Sequence, residues 1–273
     1  MPTLGLIERI PTPADVAGQV HDFIRQIAQK CHPTDRWLRP SGDARFREIA
    51  RRLFTAQFAT NAPFRGFCVG RGVTPASLRD WREIPAVPTA AFKDLDLTCL
   101  LPADRTVAFH SSGTTEQRPG RNFHSADSLA LYEASLKPWF AANVLTGVDE
   151  MEKEGRLVPP DRPAFLVLTP PTAAVPHSSL IYMLDVAVRS FGAQASIFVG
   201  RLSATGAWAL DLERLVSELQ ESMSANRPTI LVGTAFNFVH LLDYFAESKL
   251  HFRLPPDSTG IKVRLLCRNG QRR

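Results

Sequence analysis

The chain has 273 residues, of which 44% are hydrophobic and 22% charged, a composition typical of a globular protein with a sizeable core. It contains no apolar run of about 18 residues and no basic segment followed by an apolar block at its start. We therefore expect a cytoplasmic protein without a membrane span or a secretory signal. The formal net charge is +5, and residues 262–273 hold five basic side chains and no acidic one.

That short basic tail accounts for the whole excess of positive charge. Without its five residues, the 32 basic side chains fall to 27, equal to the 27 acidic ones. No aromatic side chains are interleaved with the tail, so we expect no nucleic-acid binding. The four cysteines are far apart and no Cys/His spacing is typical of a metal site, which predicts free thiols and no bound metal among such ligands.

The first part of the chain predicts helices. Residues 14–30 carry apolar side chains at helical spacing, and so do residues 43–61, where Asp43 is the predicted N-cap. Neither segment contains a motif with chemistry of its own. We therefore treat residues 1–80 as a helical N-terminal section.

The composition changes at residue 81. "WREIPAVPTAAFKDLDL" (81–97) contains two prolines and predicts an extended connector. Beyond it, short apolar strands alternate with helices. Strands that are apolar throughout are covered on both faces, and helices between them form right-handed crossovers. The pattern predicts an α/β fold, a doubly wound and mostly parallel sheet, over residues 81–261. The predicted strands are 106–109, 164–169, 195–199 and 229–233, each followed by a helix, with a polar insertion at 147–162.

The most unusual stretch is "HSSGTTEQRPGR" (110–121), directly after the first predicted strand. Ligands of doubly wound sheets bind at such strand ends. Small residues let backbone N–H groups converge on an anion, and hydroxyls add donors. If the loop leads into a helix, the helix dipole adds to the attraction. The composition also suits an ordinary turn, and neither GxxxxGK[ST] nor GxGxxG is present, so both interpretations remain open from the residues alone.

Several segments in order resemble one known family. "SSGTT" after a strand is similar to the phosphate-binding loop of the adenylate-forming enzymes. Together with "WREIPAVPTAAFKDLDL", "TPPTAAVPHSSLIYMLDVAV", "LVGTAFNFVHLLDYF" and "LHFRLPP", it resembles the acyl-protein synthetases of the LuxE type, with the phenylacetate–coenzyme A ligases as more distant relatives. The resemblance covers roughly residues 81–256.

The resemblance implies a fatty-acid ligase. A carboxylate would be activated by ATP with Mg²⁺ to an acyl-adenylate, and a thiol would then accept the acyl group, with a partner protein as acyl acceptor or acyl donor. It assigns no acid–base catalyst and no metal ligand. The implied phosphate-binding residues are Ser111, Ser112, Gly113, Thr114 and Thr115, with Arg118 and Arg121 as auxiliary charges. The implied acyl or adenylate pocket is His177, Ser178, Gly233, Thr234 and Phe236.

The chain also departs from the family pattern. Glu116 stands where the loop has Gly, and an Arg at 118 or 121 stands in for the usual Lys. The residues after "RLPP" match no later family motif, which implies an incomplete large domain. Two alternatives to an active ligase follow: a truncated, catalytically inactive fragment, or a nucleotide-binding module without chemistry.

Overall fold

A computed structural model describes residues 10–30, 44–111, 118–145, 162–255 and 259–263. The predicted N-cap Asp43, most of the predicted polar insertion and most of the basic tail lie outside these ranges. The chain divides into two compact units, residues 1–138 and 139–273. The domain boundaries after residues 80 and 261 stay predictions.

The described residues form eight α-helices and eight strands, with single 3-10 turns at Trp81–Glu83 and Pro102–Asp104. The helices are α1 (Pro13–Lys30), α2 (Ala44–Thr60), α3 (Ala62–Val69), α4 (Ala91–Asp94), α5 (Ala126–Val144), α6 (Ser179–Phe191), α7 (Leu212–Ser224) and α8 (Ala235–Glu247). The strands are β1 (Val107–His110), β2 (Arg121–His124), β3 (Ala164–Val167), β4 (Ile197–Phe198), β5 (Gly200–Leu202), β6 (Trp208–Leu210), β7 (Thr229–Thr234) and β8 (Thr259–Val263).

The first unit contains an aromatic core between α2 and α3. Phe54, Phe64, Cys68 and Leu78 are buried together, and the rings of Phe54 and Phe64 meet edge to face with centroids 6.0 Å apart. Asn61 separates the two helices, because its side chain accepts a hydrogen bond from the Phe64 amide at 3.1 Å and so caps α3. The helical character predicted for this section is confirmed, and α3 adds a helix that the sequence pattern did not predict.

A separate two-stranded sheet follows in the same unit. β1 pairs antiparallel with β2, with Val107 opposite His124 and His110 opposite Arg121. The expectation that the first predicted strand belongs to the parallel sheet is therefore wrong. So is the expectation that its loop leads into a helix, because the chain returns first as β2. β2 is only four residues long and mostly polar, so its sequence does not show the alternation of apolar and polar residues that is typical of a strand.

The parallel sheet belongs to the second unit and has the strand order β4-β3-β7-β8. β3 is buried at every residue and pairs in parallel with β4 on one side and β7 on the other. From β3 the chain moves through α6 to β4, and from there it crosses back past β3 to β7. The direction of winding therefore reverses at β3, as it does in a doubly wound sheet.

Helices cover both faces of this sheet. Phe165 lies on one face, near the end of α6, where a Cβ added at Gly192 would be 3.3 Å from its ring. Its neighbour Leu166 points to the opposite face, since side chains alternate along a strand. The core on that second face comprises Leu166, Leu168, Val199, Leu215, Leu219, Leu231 and Leu241, from the strands and from α7 and α8. This burial confirms the α/β class; the adenylate-forming domain itself stays a prediction.

Further described elements were not predicted from the sequence pattern. The segment after β4 forms the hairpin of β5 and β6, with Leu202 opposite Trp208. β8 adds an edge strand beside β7 and includes Lys262, which the sequence analysis assigned to the tail. α4 interrupts the predicted extended connector. In the described part of the chain, no helix is both long and apolar enough to cross a bilayer.

Gly200 should be the least replaceable glycine of the sheet region. A Cβ there would lie 2.2 Å from the Thr169 carbonyl carbon and 2.5 Å from the Pro170 nitrogen. Backbone atoms cannot rotate away, so we expect Gly200→Ala to lower the free energy of unfolding by about 1–3 kcal/mol. The control is Gly18→Ala in α1, where the Cβ meets nothing within 4 Å and where we expect a gain of about 0.5–1 kcal/mol. Urea unfolding compares them, and an undiminished stability of Gly200→Ala would contradict this close approach.

Candidate functional site

The loop between β1 and β2 is closed at its base by two hydrogen bonds. The Ser111 amide donates to the Gly120 carbonyl at 2.9 Å, and the Gly120 amide donates to Ser111 Oγ at 2.8 Å. The loop therefore leaves and rejoins the hairpin at one fixed point, which lowers the entropy cost of ordering it around a ligand. The predicted phosphate-binding residues Ser112, Gly113, Thr114 and Thr115 lie between these two anchors in the sequence and outside the described residues.

Gly120 is a residue of this site that the sequence analysis missed. It is buried, and a Cβ there would lie 3.1 Å from Ser111 Oγ and 3.3 Å from the Phe92 Cβ. Glycine thus lets the returning chain, the first serine of the loop and α4 meet. The nearby prolines and glycines mark a turn, but the partner of this glycine is set only by the tertiary fold.

The two predicted auxiliary arginines have different environments. The Arg121 guanidinium lies 2.7 Å from one oxygen of the Asp96 carboxylate, and Arg105 lies 2.8 Å from the other. Both guanidinium groups also face the Phe123 ring, with their central carbons 4.4 Å (Arg105) and 5.6 Å (Arg121) from its centroid. Asp96 therefore holds Arg121 at the loop end of the hairpin and compensates its charge.

Arg118 is held far less firmly. Its guanidinium is 4.0 Å from Asp94, and the two side chains are 75% and 72% exposed. Such an exposed pair is weak in water, so it leaves the Arg118 guanidinium accessible. Lys93, beside Asp94 in α4, makes no ion pair within the described residues and adds a second nearby cation. Lys93 and Asp94 lie in the segment that the sequence predicted to be an extended connector, so neither was predicted as a site residue.

His124 lies at the opposite end of the hairpin from the loop. Its ring is packed between Phe109, at 4.9 Å between centroids, and Tyr132, at 6.3 Å. Its Nδ1 atom is 3.1 Å from Ser128 Oγ. Burial lowers the pKa of His124 and raises the pKa of Tyr132. The histidine is thus kept neutral, and it packs at the end of the hairpin that lies away from the predicted phosphate site.

A second set of predicted residues lies at the carboxyl edge of the parallel sheet. β3 and β7 are adjacent and parallel, so the segments that follow them begin at the same edge. They lead into α6 and α8, which belong to opposite faces of the sheet. A crevice at the reversal point is where doubly wound sheets bind ligands. His177 and Ser178 directly precede α6, Gly233 and Thr234 end β7, and Phe236 is the second residue of α8.

Two of these residues are helix caps. Ser178 Oγ accepts a hydrogen bond from the Ile181 amide at 3.3 Å and caps α6. Thr234 caps α8: its Oγ1 accepts from the Asn237 amide at 3.3 Å and donates to Asn237 Oδ1 at 2.7 Å. Both hydroxyls have structural partners, so the free groups at this edge are the first backbone amides of two 13-residue helices.

The remaining pocket residues differ in exposure. Gly233 is buried, and a Cβ there would lie 2.7 Å from the Leu168 Cβ, so this glycine serves the packing of β7 on β3. His177 is exposed. Phe236 is 77% exposed on the outer side of α8, and its place in an acyl pocket stays a prediction.

Comparison with known proteins gives no match to this chain. No protein-family model matches the chain, and neither a curated protein nor a solved structure does. Among the described residues, no group of three or more His, Cys, Asp and Glu side chains could hold a metal ion.

The environment of His124 predicts a pH-dependent stability. Since its pKa in the folded chain lies below the ordinary value of 6.5, the unfolded chain takes up the proton first as the pH falls. Protonation then favours the unfolded state. As the pH drops below 6.5, the free energy of unfolding should therefore decrease, until the folded histidine is protonated as well. Above this window the group contributes no dependence. Melting temperatures of the wild type and His124→Gln between about pH 8 and pH 5 measure it. The same slope in both proteins would show that His124 is not the group responsible.

Proposed function

We propose that the chain is an acyl-protein synthetase-like ligase of the LuxE type, which activates a carboxylic acid, a fatty acid in particular, with ATP. An oxygen of the carboxylate attacks the α-phosphorus, the bond to the β-phosphate oxygen breaks, and pyrophosphate leaves. The thiolate of an acceptor then attacks the acyl carbon and releases AMP. The acceptor thiol belongs to a partner protein in this proposal.

The observation that carries the proposal is the closed loop between Ser111 and Gly120. Its ends are hydrogen-bonded to each other, and its sequence holds two serines, a glycine and two threonines within five residues. Backbone amides and hydroxyls in such a loop are donors suited to phosphate oxygens. Arg118 stands at its end with an exposed and weakly paired guanidinium, which suits the charge of a departing pyrophosphate.

The carboxyl edge of the parallel sheet supports the same proposal. The first amides of α6 and α8 open there, and the dipoles of two 13-residue helices favour an anion near them. A carboxylate or a phosphate beside either helix end would meet these amides. Ser178 and Thr234 have the role of fixing these helix ends in place.

This reaction requires little acid–base catalysis by side chains. A carboxylic acid with a pKa near 4 is ionised at neutral pH, so its oxygen attacks without a general base. Positioning and charge compensation are then the contributions required of the protein. Mg²⁺ binds in such sites through phosphate oxygens, waters and one or two carboxylates, so it fits a site without a dedicated cage of protein ligands. Its role is to neutralise the phosphates.

Acid-dependent release of pyrophosphate tests the proposal. We expect the purified protein to release pyrophosphate from ATP with at least one acid of a fatty and aromatic panel. The double change Thr114→Ala/Thr115→Ala should lower the rate roughly 10²-fold, because it removes donors to the phosphates. The control is Thr106→Ala at the far end of the hairpin, where the hydroxyl donates to the His124 carbonyl.

Each outcome of that assay has one meaning. A loss in the double variant, with Thr106→Ala active, supports adenylation at the loop. ATP binding by the folded protein without pyrophosphate release would overturn the ligase and favour a nucleotide-binding module. Failure to bind ATP at all would overturn both.

The two arginines should separate in the same assay. Arg118→Ala should raise the KM for ATP about twofold to fivefold, since an exposed charge contact is worth up to about 1 kcal/mol, and should leave the melting temperature unchanged. Arg121→Ala should lower the melting temperature, because Asp96 loses its 2.7 Å partner at the loop end of the hairpin. An unchanged melting temperature in Arg121→Ala, or an unchanged KM in Arg118→Ala, would contradict this division of roles.

A further inference from the structure

A cavity of about 530 Å³ lies on the α7/α8 face of the sheet. This volume falls in the range of about 300–1,000 Å³ that small-molecule sites occupy. The cavity is next to the main core cluster, with which it shares Leu219 and Leu231. Its lining is mainly apolar, and the apolar contributors include Leu219, Leu231, Leu242, Phe245, Phe252 and Leu254.

The polar side chains of the lining are basic. Lys249 and His251 line the cavity, and both are exposed. Within the described residues, the side chain of neither one forms a hydrogen bond or an ion pair. From Leu250 the chain alternates: Leu250, Phe252 and Leu254 are partly buried, whereas His251 and Arg253 are exposed. One short segment therefore provides both an apolar wall and a positive rim.

Lys249 adopts a backbone conformation that favours glycine. Its φ is +52°, and the next amide, of Leu250, donates to the Phe245 carbonyl at 2.9 Å, which closes the end of α8. Glycine is the usual residue at this position of a helix end. The lysine therefore costs backbone stability, and what it adds is a cation at the mouth of an apolar cavity.

We propose that this cavity binds an amphipathic anion, with an unbranched aliphatic chain against the apolar lining and an anionic head group at Lys249 and His251. Burial of the chain supplies the affinity, because apolar surface leaves water. The lysine supplies an ion pair, and the histidine ring nitrogen supplies a hydrogen bond to the same head group.

The cavity is separate from the amino ends of α6 and α8 at the carboxyl edge of the same sheet. Residues 249–254 follow the end of α8 and precede β8, whose Thr259 pairs with Ile230 near the start of β7. The cavity therefore opens towards the amino edge of the sheet, whereas the phosphate-facing helix ends lie at the carboxyl edge. Binding here needs no nucleotide, so this inference goes beyond the proposed function and does not depend on it.

Calorimetric titration with dodecanoate, below its micelle concentration and without ATP, tests the proposal. We expect saturable binding to the wild-type protein and at least threefold weaker binding of dodecanol, which lacks the charge. Ala246→Trp should weaken dodecanoate binding at least tenfold, because Ala246 lines the cavity and indole would fill it. The matched control is Val239→Trp on the same helix: Val239 is 49% exposed and is not part of the lining.

A second variant separates binding from folding. Lys249→Gly removes the cation and relieves the left-handed backbone, so it should raise the melting temperature and weaken dodecanoate binding about twofold to fivefold. Vesicles with and without an anionic phospholipid distinguish a free amphipathic anion from a membrane surface. Equal binding of dodecanol, equal losses in Ala246→Trp and Val239→Trp, unchanged affinity in Lys249→Gly, or binding to anionic vesicles alone would each overturn the proposal.

Discussion

The second unit depends on the complete burial of β3. Its side chains pack against helices on both faces, and its backbone pairs with β4 on one side and β7 on the other. Such a strand accepts neighbours only where they can approach closely. Gly200 lets the chain pass against Thr169 and Pro170, and Gly233 lets β7 close on Leu168. Two residues without side chains thus fix the edge at which the segments towards α6 and α8 begin.

Charge pairing has a comparable role in the hairpin of the first unit. The Asp96 carboxylate contacts both Arg105 and Arg121, and the two guanidinium groups face Phe123. Individually these exposed pairs are weak. Together they connect the segment before β1 with β2, whereas Arg118 has only an exposed pair with Asp94 at 4.0 Å. The same type of side chain therefore braces the hairpin at one position and is available to a ligand three residues earlier.

The two edges of the parallel sheet differ in the chemistry of the groups that they present. Helix amides open at its carboxyl edge, where polar contacts and dipoles suit phosphate or carboxylate groups. The cavity beside Phe245 and Phe252 opens towards the other edge and is apolar behind a basic rim. This division follows from the topology, since α8 runs antiparallel to β7 and so presents its amino end and its carboxyl end to different edges. One helix therefore contributes to both of the proposed sites.

The sequence by itself determined the α/β class, most of the helices and the strands β1, β3, β4 and β7, because apolar runs and helical periods are local signals. It also marked the loop after β1 by its composition. Only the tertiary structure decided that β1 belongs to a hairpin, that Asp96 compensates the charge of Arg121, and that Gly120 is hydrogen-bonded to Ser111. These depend on contacts between residues 9 to 25 positions apart, which leave no periodic trace. The cavity is of the same kind: its apolar residues look like ordinary core until the end of α8 and the following segment are placed side by side.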